Sequence, residues 1–159
     1  MKKKTKKRKQ SKREACSYVI EIRDWEFSYT LALPWRKNAI EEPYWEFTDI
    51  KVKGKLVHPE KFVDREIDVT VMTDRWKTRV LTKPDDCRQF EPKAVGGLTI
   101  RGKESNFLGS VPFDAFQMLC SMMNAGKIKY LVLSGLSLYR GAADIRSMRF
   151  QEHFGPEDI

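Results

Sequence analysis

Apolar and polar residues alternate along several short stretches of the chain, which is the pattern of β-strands with one buried face. The cleanest case is residues 66–73, where every second residue is Ile or Val. Between residues 18 and 33 the apolar positions change parity at Arg23 and Asp24. Because side chains alternate with a period of two, this change predicts a β-bulge or a break within the strand.

A second strand region covers residues 45–52, with another change of parity near Asp49. Residues 53–55 place a glycine between two lysines, which predicts a turn. We expect a hairpin partner for the cleanest strand at residues 76–82, followed by a proline-bounded loop at 84–92. Further short strands are predicted at residues 98–100, 107–108, 127–133, 136–139 and 145–151.

One helix is predicted, near residues 112–124. Ser110 and Pro112 supply a start, and Asp114 places a negative charge in the first turn, where the helix dipole favours it. Gly126 lies just beyond the last turn and supplies a stop. Because apolar residues recur around most of this helix and leave only a narrow polar strip, we expect most of its surface to be covered.

Many short strands and one late helix predict a mainly β, or β-rich α+β, fold. Its expected form is an antiparallel β-sandwich or a partly open barrel, with the helix covering an edge or an end. We expect one domain over residues 15–159, preceded by a disordered polybasic tail at residues 1–14. The last residues, 152–159, have the composition of a frayed end.

The positive charge of the chain is concentrated at one end. The whole sequence has 30 basic and 22 acidic residues, giving a formal charge of +8 and a pI of about 9.4. Residues 1–13 hold nine cations and no acid, so 21 basic and 22 acidic residues remain in the rest of the chain. The basic pI is therefore a property of the tail, and the domain is close to neutral.

Closely spaced cations neutralise nucleic-acid phosphates and give salt-sensitive affinity without sequence preference. The tail therefore predicts contact with nucleic acid. Two tryptophans with cationic neighbours, Trp35 and Trp76, are candidates for stacking on bases; the alternative is that they are core or rim anchors, because large aromatic residues are usually mostly buried. The candidate phosphate-binding residues are Lys2, Lys3, Lys4, Lys6, Lys7, Arg8, Lys9, Lys12 and Arg13.

These features favour a non-enzymatic accessory or binding protein whose tail contacts nucleic acid non-specifically, while the domain supplies partner recognition or assembly. The alternative is a protein-interaction or structural module whose tail is a solvated terminus with no ligand. A third hypothesis is a metal-dependent nuclease, because Asp85 precedes Glu91 and Lys93 in a Pro-Asp and Glu-x-Lys arrangement. That match is weak, since Pro92 between the last two residues cannot donate to a strand ladder.

No catalytic residue, metal site or cofactor is assigned from the sequence. His58 and His153 have no metal-ligand spacing and no nucleophile in a recognisable motif, and no glycine-rich nucleotide loop is present. We expect no membrane partner, since no signal peptide, apolar span or amphipathic anchor accompanies the tail.

The cysteines indicate the compartment. Cys16, Cys87 and Cys120 are odd in number and widely spaced, which favours a reducing, cytoplasmic setting, with association to a nucleoid or nucleus through the tail as an option. The sequence indicates neither the oligomeric state nor the partner.

Overall fold

The computed structural model of the chain describes residues 13–33, 44–74 and 94–159. Seven strands and one α-helix follow one another in these ranges, with short 3₁₀ turns at Glu60–Phe62 and Pro156–Asp158. The elements are β1 (Ala15–Ala32), β2 (Trp45–His58), β3 (Glu66–Thr73), β4 (Gly96–Arg101), β5 (Glu104–Val111), α1 (Phe113–Asn124), β6 (Tyr130–Leu136) and β7 (Ala142–Gln151).

The seven strands close into a barrel in the order β1-β2-β3-β5-β4-β7-β6, with β6 pairing back onto β1. The predicted mainly β class is confirmed, but both predicted forms, sandwich and partly open barrel, are wrong. Closure is possible because β1 has 18 residues. Its first part, residues 15–21, pairs with β6, while residues 19–32 pair with β2.

Every neighbouring pair of strands is antiparallel except β3 and β5, which run parallel over six residue pairs. The two sides of β3 are taken by β2 and β5. The predicted hairpin partner at residues 76–82 and the predicted loop at 84–92 lie outside the described residues.

The barrel interior is filled by the inward-facing residues of the strands. In β3 the predicted inward positions Ile67, Val69 and Val71 are each at most 2% exposed. Helix α1 connects β5 to β6 and buries Phe116 and Leu119 against the same core. We call the end of the barrel where α1 packs the helix end, and the opposite end, where β1 begins, the turn end.

The predicted bulge in β1 is confirmed. Ile22 pairs with Gly54 of β2, but Asp24 already pairs with Lys53, so Arg23 is the extra residue. The predicted turn at residues 53–55 is wrong, because β2 runs through it without interruption. No shift of register occurs at Asp49 either, since its pairing with Ser28 continues the register of its neighbours.

Gly54 does not form a turn. It allows β1 and β2 to approach each other closely. A Cβ at this position would lie 2.5 Å from Cγ2 of Ile20 and 2.8 Å from the carbonyl oxygen of Glu21. Both distances are shorter than van der Waals contact, so the bulged part of β1 approaches β2 in a way that only glycine permits.

The helix matches its prediction closely, at Phe113–Asn124 instead of residues 112–124. The expectation that most of its surface is covered is wrong. Phe116, Leu119 and Met123 are buried, whereas Met118 remains 57% exposed. Neither this helix nor any other in the described ranges is long and apolar enough to span a membrane.

The C-terminal residues are anchored rather than frayed. Asp158 is 8% exposed and accepts hydrogen bonds from Arg149 Nη1 at 2.7 Å, Gln151 Nε2 at 2.8 Å and the Gly155 amide at 3.2 Å. These donors, with Gln151 the strongest, lower the pKa of the Asp158 carboxyl below its usual value. The chain end therefore ties back onto β7.

Candidate functional site

Four chain segments meet at the turn end of the barrel. They are the start of β1, the β2–β3 connection, the β4–β5 turn and the β6–β7 turn, brought together by the pairings of Ala15 with Leu136 and of Arg101 with Glu104. The nine cations of residues 1–13 therefore join the barrel at this end. Of these nine, Arg13 is the one that the structure describes.

Arg13 lies against an exposed aromatic ring. Its guanidinium carbon is 4.8 Å from the centroid of the Tyr139 ring, and that of Arg140 is 5.3 Å from the same centroid. Tyr139 is 53% exposed. A guanidinium stacked on a tyrosine keeps its N–H edge free for further hydrogen bonds and is held in a defined orientation.

The turn that carries Tyr139 is tightly determined. Tyr139 and Ala142 exchange backbone hydrogen bonds of 2.8 and 3.1 Å across Arg140 and Gly141. Both central residues have positive φ, 51° and 78°, as a type I′ turn requires. A Cβ at Gly141 would overlap the Arg101 side chain, so glycine lets the turn approach β4.

A third guanidinium joins this cluster. Arg101 donates its Nε–H to the carbonyl of Arg140 at 2.9 Å. Within the described ranges no carboxylate lies at ion-pair distance from Arg13, Arg101 or Arg140. We call Arg13, Arg101, Tyr139 and Arg140 the arginine cluster.

Arg65, at the same end, has a structural role. Its guanidinium donates to the Ser105 hydroxyl and to the carbonyls of Gly102 and Glu104, the last at 3.0 Å. These bonds tie the β2–β3 connection to the β4–β5 turn. Arg65 therefore uses its guanidinium for three hydrogen bonds within the fold, whereas Arg101 uses one.

A polar groove of about 890 Å³ lies on the outer face of β1, β2, β3 and β5. Its lysines, such as Lys53, face acids on both neighbouring strands, because Lys53 pairs with Asp24 of β1 and with Asp68 of β3. The next row repeats the arrangement, with Lys55 between Glu21 and Glu66. Opposite charges on adjacent strands stabilise a sheet, by roughly 0.2–1 kcal/mol per pair. On this face Arg23 forms an ion pair with Glu21 at 2.5 Å and Lys55 with Asp64 at 2.9 Å, so acidic side chains lie among its cations.

Within the described ranges, the buried polar groups include no cluster of side chains suited to a metal ion. Asp49 is 5% exposed; Ser28 donates to one carboxylate oxygen at 3.3 Å and the other oxygen has no partner. Across residues 13–33, 44–74 and 94–159, no group of three or more His, Cys, Asp or Glu side chains is arranged to hold a metal. Burial raises the pKa of the Cys120 thiol above its usual value.

The two histidines lie at opposite ends of the barrel, because His58 ends β2 at the turn end and His153 follows β7 at the helix end. They therefore do not form a catalytic pair. The residues of the nuclease hypothesis, Asp85, Glu91 and Lys93, lie outside the described residues.

Most of the sequence-based site candidates also lie outside the described residues, namely Trp35, Trp76, Lys2, Lys3, Lys4, Lys6, Lys7, Arg8, Lys9 and Lys12. Of the aromatic residues, sequence reasoning overlooked Tyr139. The turn at Arg140 was predictable from Gly141, but the approach of Arg13 to the Tyr139 ring was not, since 126 positions separate Arg13 from Tyr139.

Searches against family models, curated proteins and solved structures give no match for this chain.

Proposed function

We propose that this chain is a non-enzymatic nucleic-acid-binding protein, in which the N-terminal basic segment and the arginine cluster together hold the phosphate backbone. The observation that supports the proposal best is the position of Arg13. It is the last of nine cations in residues 1–13, and it stacks beside Arg140 on the exposed ring of Tyr139.

The charge of the N-terminal segment sets the scale of the expected affinity. Each phosphate neutralised on duplex DNA adds about −0.9 to the slope of log affinity against log salt concentration. If all nine cations of residues 1–13 contact phosphates, the slope reaches about −8. Such binding is sequence-independent, because the attraction is to the phosphate charge, which is the same at every base pair.

The arginine cluster adds an ordered contact to this electrostatic attraction. Three guanidiniums with no described acidic partner lie at one surface, and two of them are oriented by a tyrosine ring. Arginine binds phosphate oxygens with two parallel N–H groups, so an oriented guanidinium is a better phosphate ligand than a free lysine. On the outer face, by contrast, the Arg23 guanidinium is ion-paired with Glu21 at 2.5 Å.

The test is fluorescence anisotropy of labelled single- and double-stranded DNA and RNA between about 50 and 200 mM salt. Three proteins are compared with the full chain: a chain lacking residues 1–12, an Arg13→Gln/Arg140→Gln double variant, and Lys51→Gln as the matched control. Lys51 is an exposed lysine that forms an ion pair with Glu26 at 3.7 Å on the outer face.

On duplex DNA we expect the salt slope to become shallower by up to about 7 in the truncated chain, which loses eight cations, and by about 2 in the double variant. Lys51→Gln should leave the slope unchanged. The proposal fails if the full chain does not bind any of the four nucleic acids at about 50 mM salt. The assignment of the arginine cluster fails separately if the double variant behaves like Lys51→Gln.

A further inference from the structure

Among the described residues, the second half of β1 has a strand neighbour on one side only. β1 pairs with β6 up to Glu21, and the bond from the Ile22 amide to the Lys129 carbonyl, at 2.8 Å, is the last in that direction. Over residues 23–32 the described partner of β1 is β2 alone. This leaves an open strand edge of about 33 Å, at 3.3 Å per residue.

The backbone groups on this edge belong to the odd-numbered residues. The Trp25 amide donates to the Asp24 carboxylate at 2.9 Å instead of to a strand. Since amides alternate in direction along a strand, those of Phe27, Tyr29 and Leu31 also point away from β2. Among the described residues, none supplies a backbone partner for them.

The same odd-numbered residues expose apolar side chains. Phe27, Tyr29 and Leu31 are 51%, 51% and 56% exposed, although they lie on the face that is buried farther along the strand. Phe27 packs its ring against Phe116 at 6.0 Å between centroids, which holds this face against α1. A long apolar strand edge with unpaired amides is a template for pairing with another strand.

We propose that this edge is the interface of a homodimer, in which β1 of one chain pairs antiparallel with β1 of a second copy about a two-fold axis at Ser28. In this register Phe27 lies opposite Tyr29 of the second copy, and Trp25 lies opposite its Leu31. This register gives each of these four residues an apolar partner, and aromatic and aliphatic cross-strand pairs stabilise a sheet.

The charges of β1 agree with self-pairing in this register. Glu26 lies opposite Thr30 of the second copy and Asp24 lies opposite its Ala32, so no two carboxylates face each other. A two-fold axis at Glu26 would instead place that carboxylate against its own copy, which is unfavourable. The basic segment at residues 2–12 is a poor occupant of the edge, because it contains no apolar side chain to match Phe27, Tyr29 and Leu31.

The register predicts one specific cross-link. Residues on the two-fold axis form a non-hydrogen-bonded pair with Cα atoms about 4.5 Å apart, within the range of a disulfide. Thr30 and its own copy are offset by four residues, about 13 Å, which is too far. We therefore expect Ser28→Cys to form a disulfide-linked dimer on air oxidation at least tenfold faster than Thr30→Cys. The unaltered chain shows the background from its own cysteines.

Sedimentation equilibrium tests the dimer without cross-linking. The full chain should be dimeric, and Leu31→Lys, which places a charge at the apolar interface, should weaken the dimer at least tenfold. Thr30→Lys, which faces Glu26 of the second copy, should not weaken it. A chain that remains monomeric up to about 100 μM would overturn the proposal. Equal cross-linking of the two cysteine variants would also overturn it.

Discussion

Gly54 is a buried strand glycine whose replacement tests the packing of β1 on β2. In Gly54→Ala the new methyl group meets Cγ2 of Ile20 at 2.5 Å and the Glu21 carbonyl oxygen at 2.8 Å. One of these neighbours is backbone that is paired on both sides, so it cannot move without disturbing the ladder. Gly97, in β4, is the matched control, because a Cβ there meets nothing within 4 Å.

The expected magnitude follows from two opposing effects. Adding a methyl group to a filled space destabilises a protein by about 1–3 kcal/mol. Replacing glycine by alanine also restricts the unfolded chain, which stabilises by about 0.4–1 kcal/mol. Gly54→Ala should therefore lower the free energy of unfolding by about 1–2 kcal/mol, whereas Gly97→Ala should leave it unchanged or raise it by up to about 1 kcal/mol.

The measurement is urea denaturation followed by circular dichroism, with thermal melts in parallel. For a chain of this length about 1 kcal/mol shifts Tm by roughly 2–4 °C, so Gly54→Ala should melt roughly 2–8 °C lower than the unaltered chain. The reasoning is refuted if the two alanine variants differ by less than about 0.5 kcal/mol, the usual spread of neutral surface substitutions. That result would mean that Ile20 and the Glu21 carbonyl yield to the added methyl group at little cost.

Two further stability predictions concern the helix and the chain end. Phe116→Ala should lower the free energy of unfolding by about 3–5 kcal/mol, because this ring is 2% exposed, whereas Met118→Ala, 57% exposed, should change it by less than about 0.5 kcal/mol in the same urea assay. Asp158 has a folded pKa below its unfolded value of about 4, so its carboxylate stabilises the fold above that pH and loses the effect as pH falls through the folded pKa. Asp158→Asn should therefore be less stable than the unaltered chain at neutral pH, and the gap should close in strong acid; a gap that is independent of pH, or an equal gap for the exposed control Glu157→Gln, would contradict this.

Local features of the fold were predictable because their signals are local. Alternation predicted β3 with its bounds, and the parity change at Arg23 predicted the bulge in β1. Barrel closure and the parallel pairing of β3 with β5 were not predictable, because they depend on which strand edges meet. The wrong prediction of a turn at Gly54 has the same origin. Gly54 is required there because Ile20, 34 positions away in the sequence, lies against it.

One part of the candidate site was predictable from the sequence and the other was not. The basic segment is visible in the sequence because its charge does not depend on folding. The arginine cluster depends on the contact of Arg13 with Tyr139 and on the hydrogen bond of Arg101 to Arg140, which join three different parts of the chain. The Tyr-Arg-Gly sequence at residues 139–141 does not by itself predict a binding site. It becomes a candidate only because the structure places the start of β1 beside it.

The two proposals use opposite parts of β1, and this separation has a measurable consequence. Arg13 and Ser28 are 15 residues apart, up to about 50 Å along a strand, so a two-fold axis at Ser28 places the two arginine clusters up to about 100 Å apart. Electrostatic interaction between them is screened within about 10 Å.

A duplex of 15 base pairs is about 50 Å long, half of this upper limit, and the two-fold axis gives the dimer two arginine clusters, so we expect the dimer to bind two duplexes. The unaltered chain should therefore retain a fluorescent 15-base-pair duplex on beads that carry a second, unlabelled one. Leu31→Lys should lose this retention while its affinity for one duplex stays within about twofold, because the arginine cluster is unchanged. Retention by Leu31→Lys at concentrations where it is monomeric would show that one chain binds two duplexes. The bridging of duplexes would then not depend on pairing at the β1 edge.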